Sequence, residues 1–523
     1  MKFKKNYILF LFILIFAVII RIIFFIGYAN CQSQDDGIYI NSIDNAYRRT
    51  LVFRKDLINE TLIDPSLIPT VRTMFVYPSA LFVWLFGLKE TSFIIYPFIC
   101  SIGLISLLYF IGKNVFNERV GLIAAFLLSF FPLDVIYSTR IMPDLPYIFF
   151  MTFSIYFFLI SEKGKKGIYY FLSGLSLGVS YLIKEAVIVI LPIISIYILY
   201  KKNIRKKYLL LIFGFLIIII AEMFFFYFNT GNALYRFHII SGAHLQKETI
   251  ELGSKMKKIN FDNIIQFLYP DGFDFLGHTK NFFILPNATS KFLEYFGFFY
   301  YFVLLGIIYL IFKKDKKSYF FLIWFVIVYL YIEFGAFSIS LNFKEIPYIK
   351  YMMILKESDM SRLAMLLTVP STILIALFLS KIKFELSLII ILFLLLTSLY
   401  YINLTRQLFV DGIKDTREAY NFIKKFPIKT IYGDYLTVNQ INFFSGFNPF
   451  LSFKNLGDEK EISDAYVIIG GSRGCEVSGD YVISINPKFT SNYPENWKIL
   501  TIISGKRAAY RNANMTIFYV SKK

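Results

Sequence analysis

Runs of about 20 apolar residues recur along this chain. Each is long enough to cross roughly 30 Å of hydrocarbon as a helix whose backbone hydrogen bonds close internally. The first covers Tyr7 to Tyr28 and follows Lys2, Lys4 and Lys5. It is longer than a signal-peptide core and no small-x-small cleavage site follows it, so a retained first span is expected. Of the 523 residues, 57% are hydrophobic and only 17% charged, too few to solvate the surface of several soluble domains.

Marking the runs predicts about eleven spans, near 7–28, 92–112, 120–138, 143–160, 168–183, 186–200, 208–228, 296–312, 318–335, 362–380 and 384–402. A shorter run, Pro78 to Leu88, suits a re-entrant or interfacial segment. With the N-terminus inside, alternate connections hold Lys113 and Arg119, then Lys163, Lys165 and Lys166, then Lys201, Lys202, Arg205, Lys206 and Lys207. Lys313, Lys314, Lys316, Lys317, Lys381 and Lys383 follow on the same side, as the positive-inside bias requires. The formal charge of +19 is therefore explained by topology, and nucleic-acid binding is not expected.

The opposite side receives a first loop over 29–91, loops over 229–294 and 336–361, and the C-terminal segment 403–523. In that segment a helical pattern over Asp411 to Phe426 precedes short β-rich runs at Thr430–Tyr435, Tyr466–Gly470, Tyr481–Ile485, Leu500–Ile503 and Thr516–Val520, predicting a small extracytoplasmic α/β domain. The Gly470–Gly474 run lacks the Lys-Ser/Thr ending of a phosphate loop and reads as a turn. The expected fold is thus a polytopic α-helical membrane domain over 1–402 followed by that domain.

Four places on the outer side hold charge tightly bracketed by apolar sequence. Asp35-Asp36-Gly37-Ile38-Tyr39 puts two carboxylates just after the first span, suited to accepting a proton, to holding a divalent cation, or simply to solvation in a loop. Arg140 and Asp144 flank a short turn, where Asp144 could equally be a helix cap. Lys184-Glu185 is the whole polar content of an outer hairpin and suits either a lipid-phosphate contact or a local ion pair between the two. Asp359, Ser361 and Arg362 open a later span and read as interfacial anchors. Arg21, near the end of the first span, is expected to snorkel. His238, His244 and His278 lack helical zinc spacing, and Cys31, Cys100 and Cys475 show no ligand pattern.

The order of these features resembles the membrane-embedded GT-C glycosyltransferases, in particular the protein O-mannosyltransferase and aminoarabinose-transferase-like group. The matches are Arg21, then Asp35 to Tyr39, which resembles the family's first-loop Asp-Glu-x-x-Tyr signature, and Tyr77-Pro78, where some relatives carry Lys in place of Tyr77. Further matches are Tyr137 to Arg140 through Asp144-Leu145-Pro146, Gly174 to Gly178 running on to Lys184-Glu185, and Arg362 through Pro370. The resemblance implies an inverting transferase at the extracytoplasmic face of the cell membrane. It takes a sugar from a polyprenyl-phosphate carrier held among membrane lipid and passes it to a protein, lipid or glycan acceptor. It also implies Asp35 as base with Asp36 beside it, and Lys184, Arg362 and Arg140 as cations for the donor phosphate. Asp144, Tyr39 and Glu185 are implied as orienting groups, with a divalent metal ion as an optional cofactor.

Two other classes fit a polytopic chain. A lipid-linked sugar transporter or flippase would place polar groups at the membrane midplane on broken helices, whereas these spans read as clean. A non-catalytic scaffold would simply present the outer domain. An oligosaccharyltransferase is disfavoured because the C-terminal segment has no Trp-Trp-Asp signature, its one tryptophan being Trp497.

Overall fold

The computed structural model describes residues 2–27, 35–60, 63–164, 166–202, 205–251, 296–313, 318–334, 336–339, 349–353, 362–411, 413–427, 430–433, 435–447, 451–455, 462, 464–470, 497–504 and 514–521. The apolar runs form helices. The first are α1 (Lys2–Ile23), α2 (Asp35–Tyr47), α3 (Thr73–Phe86), α4 (Glu90–Ile111), α5 (Glu118–Ser129), α6 (Pro132–Ser138), α7 (Asp144–Gly164) and α8 (Gly167–Ile183). There follow α9 (Ile190–Tyr200), α10 (Tyr208–Thr230), α11 (Tyr235–Glu251), α12 (Phe299–Lys313), α13 (Tyr319–Phe334), α14 (Thr368–Lys381) and α15 (Phe384–Asp411).

Among the described residues, six helices are long and apolar enough to span a bilayer, or seven if α5 and α6 count as one. Five apolar helices are shorter. One of these is α3, where the Pro78–Leu88 run was expected not to span, and the other four coincide with runs read as spans. The run expected as a single span over 120–138 is bent by 58° between α5 and α6. Pro132 explains the break, because it lacks an N–H and its ring opposes the preceding turn, so it opens α6 at a position that tolerates proline.

Helices sort into a centre and a rim. In the Arg362–Lys381 window 89% of residues are buried, against 22% in the windows of α1, α10 and α15. The rim helices instead turn large apolar side chains outward, among them Phe12, Phe228, Leu396 and Tyr400, which is stable only if lipid replaces water. Helices α8 and α10 touch backbone to backbone: a Cβ on Gly174 would lie 1.9 Å from the Leu211 carbonyl oxygen, and one on Gly214 2.3 Å from that of Phe171. Small residues at such a crossing let dispersion and packing replace the missing hydrophobic drive between helices in lipid.

The spans are not free of charge, contrary to expectation. Arg21 does not snorkel; it is fully buried. Its guanidinium forms an ion pair with Asp134 of α6 and donates to the Ser101 hydroxyl at 2.8 Å and to the Ala17 and Ser129 carbonyl oxygens, both at 2.9 Å. A side chain with this many acceptors inside the bundle gains nothing by reaching for the interface. Glu222 is a second buried carboxylate, within α10.

After α15 come α16 (Lys414–Ile423), α17 (Tyr435–Phe444) and a five-stranded sheet of order β4-β3-β5-β7-β6. Its strands are β3 (Thr430–Gly433), β4 (Phe453–Asn455), β5 (Ala465–Gly470), β6 (Trp497–Ser504) and β7 (Asn514–Val520). β3 runs parallel to β4 and β5, and β7 antiparallel to β5 and β6. The helical pattern expected over Asp411–Phe426 is divided between the end of α15 and α16, while β4 and α17 had no counterpart in the sequence reading. The run at Tyr481–Ile485 and the turn 471–474 lie outside the described residues. Ala419, Ile423, Ile431, Ile441, Ile468, Met515 and Ile517 form the apolar centre of this unit. A two-stranded ladder, β1 (Ala336–Ile339) with β2 (Ile349–Met353), lies within the expected outer loop.

Candidate functional site

At one end of the bundle, three helix ends bring opposite charges together. Asp144 is the first residue of α7, Lys184 caps the C-terminus of α8, and Arg362 precedes α14. The Lys184 Nζ donates to Asp144 Oδ1 at 2.6 Å, and Arg362 donates from Nε and Nη2 to Asp144 Oδ2 at 3.3 and 3.2 Å. Asp144 is fully buried and Lys184 nearly so. The carboxylate serves as a shared counter-ion rather than as a helix cap.

A second chain of contacts adjoins the first. Arg72, between the short helix Ile68–Val71 and α3, donates from Nη2 to Glu185 at 2.7 Å and from Nη1 to the Tyr39 hydroxyl. Tyr39 is buried, with its ring edge-on to Phe75 at 5.1 Å. Lys184 therefore pairs across the bundle with Asp144 and Glu185 with Arg72, so the local Lys184–Glu185 ion pair does not form. An adjacent pair on one backbone turn loses to partners that can approach head-on.

The electrostatics are those of like charges packed closely. Burial depresses the Lys184 pKa; Asp144 opposes this, while Arg362 and Arg72 add to the depression. Burial works against the Arg72 charge too, yet Glu185 and the Tyr39 hydroxyl hold its pKa above the ordinary range. Arg140 is buried with its guanidinium 5.1 Å from the Tyr137 ring centre.

Asp35 and Asp36 are the first two residues of α2, but their side chains lie outside the described residues. Tyr39 and its link to Arg72 place the same helix against the cationic cluster. His238 contacts the Leu57 carbonyl oxygen through Nε2 at 2.7 Å, and the side chains of His244 and His278 are not among those described. Among the described residues no group of three or more His, Cys, Asp or Glu is arranged to hold a metal ion. Both oxygens of Asp144 face cations, so a divalent cation does not fit there.

Three members of this region were not singled out by sequence reasoning: Arg72, Glu222 and Arg236. Arg236 of α11 pairs with Glu222 at 3.0 Å and lies 3.8 Å from Glu185. The available signal was charge beside or inside an apolar run with no solvated loop to receive it.

Residues 72–226 match the family model described as dolichyl-phosphate-mannose-protein mannosyltransferase. That segment holds Arg72, Arg140, Asp144, Lys184, Glu185 and Glu222, and excludes Asp35, Asp36, Tyr39, Arg236 and Arg362. No curated protein matches the chain by sequence. Among solved structures, ArnT from Cupriavidus metallidurans in the apo state is similar with a TM-score of 0.54 at 10% identity, covering 99% of this chain and 98% of its own. The same protein bound to undecaprenyl phosphate gives 0.52 at 11%, with 97% of each chain covered. The apo oligosaccharyltransferase of Archaeoglobus fulgidus gives 0.50 at 13%, covering 87% of this chain and 65% of the other, so this chain spans about two thirds of that protein's length. The chain is thus similar to a mannosyltransferase family model over residues 72–226, and its fold is similar to that of ArnT along nearly its whole length.

Proposed function

We propose that this protein is an inverting glycosyltransferase that moves a sugar from a polyprenyl-phosphate carrier to an acceptor hydroxyl of a protein, lipid or glycan at the extracytoplasmic membrane face. The observation that carries the reading is the buried convergence of Arg72, Lys184 and Arg362 on Asp144 and Glu185. Cations held near one another against repulsion and away from water lower their energy when an anion arrives, and a lipid phosphate at the bundle's end is such an anion. The ArnT structure with undecaprenyl phosphate supports this choice of ligand. The basic connections of the sequence would then lie on the cytoplasmic side. The chain would divide into the transferase domain 1–402 and the outer domain 403–523.

In this mechanism Asp35, opening α2, takes the proton of the acceptor hydroxyl as that oxygen forms its bond to the sugar's anomeric carbon. The bond from that carbon to the carrier phosphate breaks on the opposite face, and the electron pair leaves with the prenyl phosphate. Lys184 and Arg362 stabilise the charge that grows there, with Arg140 supporting the same turn. Asp36, Tyr39 and Glu185 orient the groups beside them; Tyr39 and Glu185 hold Arg72, and Asp144 holds Lys184 and Arg362 in their reach.

The test is transfer of radiolabelled sugar in native membranes supplied with labelled nucleotide sugars, which load the prenyl-phosphate pool. Asp35→Asn should lower transfer by about 10²- to 10⁴-fold, the usual contribution of a general base. Lys184→Ala combined with Arg362→Ala should abolish donor-dependent transfer. Near-normal transfer by either variant overturns the corresponding role.

A further inference from the structure

The cations of the donor site sit on separate stretches of chain, and one buried side chain joins those stretches. Arg236 of α11 donates from Nη1 to the Val71 carbonyl oxygen at 2.7 Å and to that of Leu182 at 3.1 Å. From Nη2 it donates to the Tyr181 carbonyl oxygen at 2.7 Å, and its guanidinium lies 4.9 Å from the Tyr181 ring centre. Glu222 supplies the counter-charge from α10 at 3.0 Å. Arg236 is 3% exposed.

The acceptors are informative. Val71 immediately precedes Arg72, and Tyr181 and Leu182 form the last turn of α8, which ends at Lys184. Carbonyl oxygens in a last helical turn lack intrahelical donors, so a planar fork that reaches two of them and a third on another segment sets the angle between those segments. We propose that Arg236 is a positioning residue. It fixes Arg72 and Lys184 relative to one another by clamping the backbone beside each, without itself touching the donor phosphate. The proposal rests on the donor-site reading above.

The experiment is binding of undecaprenyl phosphate to the full-length protein in lipid nanodiscs, alongside thermal unfolding. The paired change Arg236→Met with Glu222→Met removes the clamp and its counter-charge together, a replacement that buried ion pairs often tolerate. It should unfold within a few degrees of the parent protein yet bind the lipid about tenfold more weakly, since small misplacement of a binding group costs at least that. Arg236→Lys keeps the charge but not the fork and should weaken binding similarly, which gives the same readout should the paired variant unfold. Parent-like affinity in Arg236→Lys or in a folded paired variant, while Lys184→Ala still weakens binding, overturns the positioning role alone. Parent-like affinity in Lys184→Ala with Arg362→Ala overturns the donor site and the positioning role with it.

Discussion

Helix α7 has a carboxylate at each end, and the two ends use charge differently. Asp144 opens the helix and Glu162 lies in its last turns, about 27 Å away by helical rise. Glu162 accepts hydrogen bonds from the hydroxyls of Tyr170 at 2.7 Å and Tyr208 at 2.8 Å, and pairs with Lys201 at 3.2 Å and Arg205 at 3.3 Å. One carboxylate there anchors the connections to α8 and α10, and the Lys201 side chain, 37% exposed, keeps its charge hydrated. At the Asp144 end the side chains of Lys184 and Arg72 are only 10% and 8% exposed. Both ends gather cations, and those at the Asp144 end lie deeper, Arg362 at 18% exposed being the most open of the three. An excess of charge in contact with solvent is screened within about 8 Å at physiological salt, whereas a buried one must be met by another charge. That difference is why the Asp144 end is assigned to an anionic ligand and the Glu162 end to structure.

The comparison predicts the largest loss at the dry end. Asp144→Ala leaves Lys184 and Arg362 without their shared counter-ion, and breaking a buried pair in this way costs about 3–5 kcal/mol. The expected result is a marked fall in thermal unfolding temperature, partly reversed by adding undecaprenyl phosphate, because an anion then replaces the carboxylate. A fall that the lipid does not reverse would separate Asp144 from the donor site.

A smaller loss is expected at the crossing that holds α8 against α10. Gly174→Ala drives a Cβ to 1.9 Å from the Leu211 carbonyl oxygen, and the helices must part. Overpacking of this kind costs about 1–3 kcal/mol. Lys184 and Glu222 sit on these two helices, so lipid affinity should weaken along with the unfolding temperature. Unchanged affinity would show that the site tolerates a shift between them.

Smaller again is Glu162→Gln, which keeps a side chain of the same shape able to accept from Tyr170 and Tyr208 but removes its charge. With Lys201 and Arg205 both in reach of water, the cost should be about 1 kcal/mol, and sugar transfer should stay near that of the parent protein. A loss of transfer as large as that of Asp144→Ala would erase the distinction between the two ends.

How far these ends could be read from sequence follows from the distance along the chain between partners. The apolar periods located the helices, and the first-loop motif with Lys184, Asp144 and Arg362 named most of the cluster. What remained hidden was pairing: Lys184 meets Asp144 across 40 residues and Arg362 meets it across 218, so from sequence Lys184 had only a lipid phosphate or its neighbour Glu185 as a partner. Arg21 appeared to need the interface because its partner Asp134 lies 113 residues away on a helix broken by Pro132. Arg236 lies within a stretch read as loop, and its four acceptors are three backbone oxygens and a carboxylate inside an apolar run, features that composition does not reveal.

The smallest effect tests whether burial, rather than charge alone, marks the site. Arg54 and Asp56 form an ion pair on the same connection between helices as Arg72, with side chains 53% and 59% exposed. The hydrogen bond from Arg54 lowers the Asp56 pKa, so as pH falls the pair persists to a lower pH than an unpaired aspartate would hold its charge. Exposed pairs of this kind seldom contribute measurably to stability. Arg54→Ala should therefore leave both the unfolding temperature and undecaprenyl-phosphate binding unchanged at physiological salt. Weaker binding that high salt also produces in the parent protein would mean that exposed loop cations steer the lipid phosphate inward. The buried cluster would then be the end of an electrostatic path rather than the whole of the donor site.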